Sequence, residues 1–334
     1  MTSIIRFDQS HRKRLEDCLA GKSMPTPPVA LWRHFPVDDQ SPDRLAAAII
    51  NYQATFDFDL VKVTPASSFC LSDWGIEDEW KGDAEGTRAY SEPIIHKPED
   101  WLKLPVLNPN KGYLVKQLQV LQLITPHFSP HTPVLQTIFN PMSQAKNLAG
   151  QDSLLKMMRS QADLLHAGLK TITRSTINFI HACMDIGIDG IFFAVQHAQS
   201  NLLSEAEFET FCRPYDLEIL DGVKNTWLNM VHIHGEGIYF SKVAQYPVQI
   251  LNWHDRHTSP KIDEARKHFN GVLCGGLSRI ESLVLGDSVS IKHEAENAIR
   301  ESGGSRLILG TGCVVPITAP YGNLVAARNS VFQV

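Results

Sequence analysis

Eight short apolar runs, each separated from the next by a longer stretch, constrain this chain more than any other feature. They are P-V-A-L-W (28–32), L-V-K-V-T (60–64), P-V-L-Q-T-I-F (133–139) and G-I-F-F-A-V (190–195), then M-V-H-I-H (230–234), V-Q-I-L-N-W-H (248–254), G-V-L-C-G-G (271–276) and L-I-L-G-T-G (307–312). Val, Ile, Leu and Phe dominate them without clean alternation, as in parallel strands covered on both faces. Helical patterns fill the intervals. Residues 41–52 open with Ser41 as cap and Pro42 at the first helical position. Apolar residues recur at helical spacing over 113–124, and 154–166 with 171–184 form a long helical stretch. Residues 204–211 begin with Ser204 and carry Glu207 three positions on, a capping box. Residues 260–269 and 288–300 precede the last two strands.

Strand and helix alternating eight times argue for a closed (β/α)8 TIM barrel spanning residues 1–334 as a single domain. A doubly wound open sheet is the alternative, but no Gly-rich dinucleotide or phosphate signature follows the first strand. Residues 65–112 interrupt the pattern. They hold three of the six tryptophans (Trp74, Trp80, Trp101), many acidic residues and little periodicity. This reads as an excursion after strand two, a β-hairpin or lid folded over the barrel mouth.

Composition narrows the setting. No stretch reaches the roughly 18 consecutive apolar residues of a membrane span, and the N-terminus lacks the apolar run of a secretory signal. A cytoplasmic location is therefore expected, with no membrane partner. The net charge of −5 leaves no electrostatic footprint for nucleic acid. The six cysteines have no paired spacing and read as reduced thiols. Cys183, Cys212 and Cys274 fall inside elements as small core residues, whereas Cys313 ends a strand.

In such barrels the active site lies at the C-terminal ends of the strands. Those ends supply Trp32, Arg33, His34, Thr64, Pro65, Asn140, Gln196, His197, His232, His234, Glu236, His254, Asp255, Ser278, Arg279 and Cys313. His232 and His234 are two apart, so both point to the same side of their strand. Two imidazoles and a thiolate are donors that zinc prefers, and three protein ligands leave a fourth position open for chemistry. Ordinary packing of strand-end residues remains the other reading of the same spacing.

The segment G-I-D-G-I-F-F-A-V-Q-H-A-Q-S-N-L-L-S-E-A-E-F-E-T-F-C-R-P-Y (187–215) resembles the central region of the uroporphyrinogen decarboxylase superfamily. The tail G-T-G-C-V-V-P-I-T-A-P-Y-G-N-L (310–324) resembles its final strand, and P-P-V-A-L-W-R-H-F (27–35) its first. The porphyrinogen decarboxylases of that superfamily carry a second N-terminal arginine and an aspartate after strand two. Here L-W-R-H-F-P-V-D-D offers only Arg33, and V-T-P-A-S-S has no aspartate. A substrate with eight carboxylates needs more cationic partners than that. The other branch comprises cobalamin-dependent thiol methyltransferases, whose zinc motif is H-x-C followed later by C. This chain is similar, with H-x-H and then Cys313.

The resemblance implies Zn2+ on His232, His234 and Cys313, a methyl-corrinoid supplied by a corrinoid protein, and a small thiol or methylated substrate. In that scheme Glu236, His254 and Asp255 are the catalytic candidates, while Arg33, Gln196, His197 and Asn140 are the substrate-binding ones. The chain would act as a monomer or homodimer. Two alternatives stand beside it: a metal-free decarboxylase or lyase of a smaller carboxylated substrate, and a non-catalytic subunit that only binds a corrinoid protein. No D-x-H-x-x-G corrinoid motif occurs, so the chain would not carry its own cobalamin domain.

Overall fold

The computed structural model describes residues 4–332. The strands are β1 (Val29–Ala30), β2 (Val61–Val63), β3 (Asp78–Glu79), β4 (Ala89–Tyr90), β5 (Val134–Phe139), β6 (Gly190–Val195), β7 (Met230–Ile233), β8 (Ile250–Trp253), β9 (Val272–Leu277) and β10 (Leu307–Thr311). Eight of them form one sheet in the order β1-β10-β9-β8-β7-β6-β5-β2, and every neighbouring pair is parallel. Helices fill the connections. The chain is a (β/α)8 TIM barrel, and each of the eight apolar runs contributes one strand.

Side chains leave the barrel wall alternately, as the two-residue period of a strand requires. Ala30, Trp32, Phe192, Ala194, Met230, Ile250, Val272, Cys274 and Ile308 form one cluster inside the barrel. Val29, Leu31, Val61, Val63, Phe193, Val195, Val231, Ile233, Leu251 and Trp253 join the larger cluster beneath the helices. Burial on both faces is why the strand sequences read as continuous apolar runs.

The seam between β1 and β2 has no ladder and is joined by Asp59. Its amide N–H donates to Val29 O at 2.8 Å, and its Oδ2 accepts the Val29 N–H at 2.7 Å. Its Oδ1 accepts Arg14 Nε at 2.7 Å, and Arg14 also donates to Pro27 O at 3.0 Å. Arg14 belongs to the helix His11–Leu19, whose Leu15 and Cys18 cap the interior cluster from the N-terminal end.

The helices largely follow the local signals. Pro42 opens the helix Pro42–Phe56, although Ser41 makes no side-chain capping bond there. The Ser204–Glu207 capping box forms as the spacing predicts. The stretch read as nearly continuous from 154 to 184 breaks at Gln161, whose φ of −143° leaves the helical region. The helix expected over 260–269 is only Ile262–Ala265.

The excursion at 65–112 contains the antiparallel hairpin β3–β4, with Asp78 opposite Tyr90 and Glu79 opposite Ala89. Arg88 pairs with Asp78 of β3 at 3.2 Å and ties the hairpin to the loop after β1 through Asp39 at 2.6 Å. Its tip reaches the C-terminal ends of the strands. The Ile317 N–H donates to Ala84 O at 2.8 Å, and Arg279 pairs with Glu85 at 2.6 Å.

Two outcomes follow from these buried groups. Asp59→Ala strands Arg14 in the interior, and a loss of about 3–5 kcal/mol in urea unfolding is expected. Replacing both partners by apolar residues of similar size should cost less. Asp216 is fully buried, and burial pushes its carboxyl up to about 7 although Asn140 and Tyr246 both donate to it, at 3.0 and 2.9 Å. A raised carboxyl keeps its proton when folded while the unfolded chain has released it. Its stabilising contribution is therefore complete below about pH 4 and lost as pH rises through about 7, at up to about 1.4 kcal/mol per pH unit. Unfolding at pH 5, 6, 7 and 8 should show this decline, and Asp216→Asn should flatten it.

Candidate metal centre

Three strands deliver the donors. His232 is the third residue of β7 and His234 follows the strand; His254 follows β8; Cys313 lies two residues beyond β10. The even-numbered positions of β7 and β8 share the inward side, since Met230 and Ile250 belong to the interior cluster. One donor atom from each of the four residues lies within 4.8 Å of all the others. His232 Nε2 is 3.5 Å from His234 Nδ1, and His254 Nε2 is 3.4 Å from that same atom. A tetrahedral ion with metal–nitrogen bonds of about 2.0–2.1 Å spaces its nitrogens about 3.3–3.4 Å apart. The donor set therefore fits zinc in both chemistry and spacing.

Asn252 orients the most buried donor. Its Nδ2 donates to two carbonyls, Cys274 O and Thr311 O, both at 2.9 Å. That leaves Oδ1 as the acceptor facing His232 Nδ1 at 2.7 Å. The network thus assigns the proton to Nδ1 and turns the lone pair of Nε2 toward the other donors.

The electrostatics agree. Burial would raise the Cys313 thiol, but contact with His232, His234 and His254 holds it well below its ordinary value. Burial lowers His232, with Cys313 opposing. Burial also works against protonated His234, yet the Cys313 thiolate outweighs it and the imidazole is raised. One negative charge sits among three imidazoles, with no carboxylate in the group.

Of the remaining candidates, the structure brings only His254 into the donor set, where it makes a fourth donor beside the three read from the sequence. Gln196 ends β6 half-buried, with its carbonyl taken by Gln199 Nε2 at 2.6 Å. The others point away or serve local structure. Arg33 donates to His34 O at 3.3 Å and Ile317 O at 3.5 Å. Asn140 caps the helix Pro141–Ala149 and donates to Asp216. His197 meets Gln151 Oε1 at 3.3 Å, and burial, with Lys146 and His234 nearby, pushes it down to about 3. Asp255 is buried behind β9, accepting Gly276 N–H at 3.0 Å, and burial pushes its carboxyl up to about 7. Glu236 is exposed on the loop after β7. Asp255 and Glu236, read as catalytic, therefore stand outside the donor set.

Residues at this end escaped the sequence reading. Lys62, in β2, is buried and places its Nζ 4.6 Å over the Phe192 ring. Burial pushes its ammonium down to about 7, with the Cys313 thiolate opposing. Phe192 stacks on His232 with ring centroids 5.5 Å apart. A lysine inside a strand as apolar as V-K-V was the available signal, because an unpaired lysine is rarely buried.

The chain is similar to several known proteins. Methylcobamide:CoM methyltransferase MtaA of Methanosarcina barkeri (strain Fusaro / DSM 804) is 23% identical over 219 residues, which is 64% of this chain and 63% of that protein. The match thus spans less than two thirds of that relative's length. Uroporphyrinogen decarboxylase 2, chloroplastic, of Arabidopsis thaliana is 24% identical over 170 residues, covering 49% of this chain and 41% of that one. Among solved structures, a methyltransferase from Methanosarcina mazei superposes with a TM-score of 0.86 at 19% identity, over 98% of this chain and 99% of that chain. At that identity the superposition speaks for the fold alone. The family model described as Uroporphyrinogen decarboxylase (URO-D) matches residues 33–333, and the chain belongs to that family.

Proposed function

We propose that this chain is a zinc-dependent methyltransferase that moves a methyl group between a corrinoid carried by a partner protein and a thiol-type acceptor. The observation that carries the reading is the donor set itself. Three imidazole nitrogens and one thiolate sulfur converge at the C-terminal mouth of the barrel, all within 4.8 Å of one another and without a carboxylate. The relative from Methanosarcina barkeri, a methylcobamide:CoM methyltransferase, points the same way.

His232, His234, His254 and Cys313 would hold Zn2+, which when bound would supply a Lewis acid that lowers the pKa of a thiol. The chain's own residues do the positioning. Asn252 fixes the tautomer and angle of His232. The side chains of His234 and His254 hydrogen-bond only within the donor set, so either is freer than His232 to give up its place to an incoming thiol. His234, His254 and Cys313 are all half-buried and face the mouth, where a corrinoid protein would dock. A metal-free decarboxylase centred on Arg33 is the weaker reading, because that guanidinium is occupied by main-chain carbonyls.

Protein produced with added zinc should carry about one ion per chain. Cys313→Ala and His232→Ala should lose it, and Asn252→Ala should weaken binding about 10- to 100-fold. Elemental analysis and chelator competition read these outcomes, and metal-free wild-type protein would overturn the metal centre. Incubation with methylcobalamin and a thiol should produce the thioether together with the spectral change of demethylated corrinoid. Cys313→Ala should slow this at least about 100-fold, the loss of several kcal/mol of metal assistance. Zinc-loaded protein that demethylates no corrinoid would reject methyl transfer while leaving the metal centre standing.

A further inference from the structure

A cavity of about 530 Å3 lies outside the barrel wall, between the helices Pro42–Phe56 and Gly112–Phe128 and against the excursion. It shares no lining residue with the donor set. Its volume falls within the range of about 300–1,000 Å3 typical of small-molecule sites. Leu45, Phe69, Ile76 and Val120, all buried, supply apolar lining.

Charge distinguishes this cavity. Asp39, Glu77 and Asp78 line it, against one lysine, Lys116. Asp39 and Asp78 share a single guanidinium, with Arg88 at 2.6 Å from the first and 3.2 Å from the second. Their side chains are 0% and 8% exposed, and among the described residues no other cation pairs with either. Asp78 Oδ1 takes the bond from Arg88, while its Oδ2 is buried and accepts none. A buried carboxylate oxygen without a donor is costly. Glu77 is exposed and pairs with no cation among the described residues. Lys116 lays its ammonium on the Tyr113 ring, 4.1 Å from the centroid, rather than on a carboxylate. Two buried carboxylates therefore answer to one guanidinium, and the lining carries acceptors in excess.

Sign and shape narrow the occupant. An acid would meet like charges. A bare metal ion needs ligand atoms that converge, and among the described residues only the donor set at the mouth groups them in that way. The apolar lining suits a hydrocarbon body instead. An ammonium attached to such a body brings the donor that Asp78 Oδ2 lacks, in a charge-assisted bond. We infer that this cavity binds a small organic amine, held through its ammonium by Asp78 and Glu77 and through its apolar body by Phe69 and the residues around it. The inference stands apart from methyl transfer and does not rest on that reading.

Calorimetric titration of the full chain with phenethylamine tests it, with phenethyl alcohol and hydrocinnamate as neutral and anionic counterparts of a similar body. The amine should bind at least about 10-fold more tightly than the alcohol, and the acid should not bind. Asp78→Asn keeps the shape of the side chain, removes its charge and should weaken the amine about 10- to 100-fold. Glu77→Gln alters an exposed group, should weaken it about 3-fold, and decides the matter if Asp78→Asn does not fold. Cys313→Ala should bind the amine as the wild type does, since the cavity lies away from the metal centre. Absence of amine binding, equal affinity for amine and alcohol, or an affinity unmoved by the changes at Asp78 and Glu77 would overturn the site. Loss of binding in Cys313→Ala would place the amine on the metal centre and overturn it as well.

Discussion

Asn252 is the side chain on which the rest of the site depends. It stands on β8, inside the barrel, and one amide reaches β9 through Cys274 O, β10 through Thr311 O and β7 through His232. The two carbonyls take both of its N–H groups, so its oxygen has to accept. That requirement sets the proton on His232, and the proton sets which nitrogen faces the donor set. A polar network buried this deeply is stable only when every member is satisfied, and here each bond defines the next. The same amide also links neighbouring strands near their C-terminal ends, where the ladders are about to stop. Fold and chemistry therefore share a single residue at this point.

The barrel divides its burdens between its two ends. At the N-terminal end Arg14 and Asp59 stitch the seam that lacks a ladder, and their charges neutralise each other. At the C-terminal end the interior instead collects groups that answer one another only in part: the three imidazoles, the Cys313 thiolate, the Lys62 ammonium and the Trp32 N–H. Such an arrangement is costly for folding and useful for binding. The excursion with its hairpin leans over this end, with Glu85 paired to Arg279 above Cys313. It thereby reduces the access of water to groups whose interactions strengthen as the surroundings become drier.

Much of the architecture was legible because a strand buried on both faces writes a continuous apolar run, and eight such runs separated by helical patterns have few other solutions. Boundaries were less so: the break at Gln161 carries neither Gly nor Pro, and only packing decides it. Within the site, the two-residue period sorted the histidines better than their chemistry did, whereas Cys313 has the outward parity of β10 and joins the donors through the bend that follows the strand. His232, His234 and His254 share the inward parity, as do Trp32 and Lys62. Arg33, Asn140, His197 and Asp255 have the outward parity, and each is found in a cap, against a helix or on a neighbouring loop. Applying that rule only to the His-x-His pair left Asp255 among the catalytic candidates and Lys62 off the list. Asn252 was concealed for a different reason, since an asparagine in an apolar strand says nothing about its partners until the strands on either side are in place.

The amino-acid sequence by itself determined the eight-stranded parallel barrel, the excursion after the second strand, and the presence of two histidines and a cysteine at strand ends that would share one mouth. Local periodicity and strand-end chemistry are enough for that. Only the tertiary structure decided that His254 joins the donors, that Asn252 fixes their orientation, and that Lys62 is buried one aromatic ring away from them. Those facts depend on which residues from strands 20 to 250 positions apart in the chain come within a few ångströms, and barrel closure rather than any local pattern sets those distances.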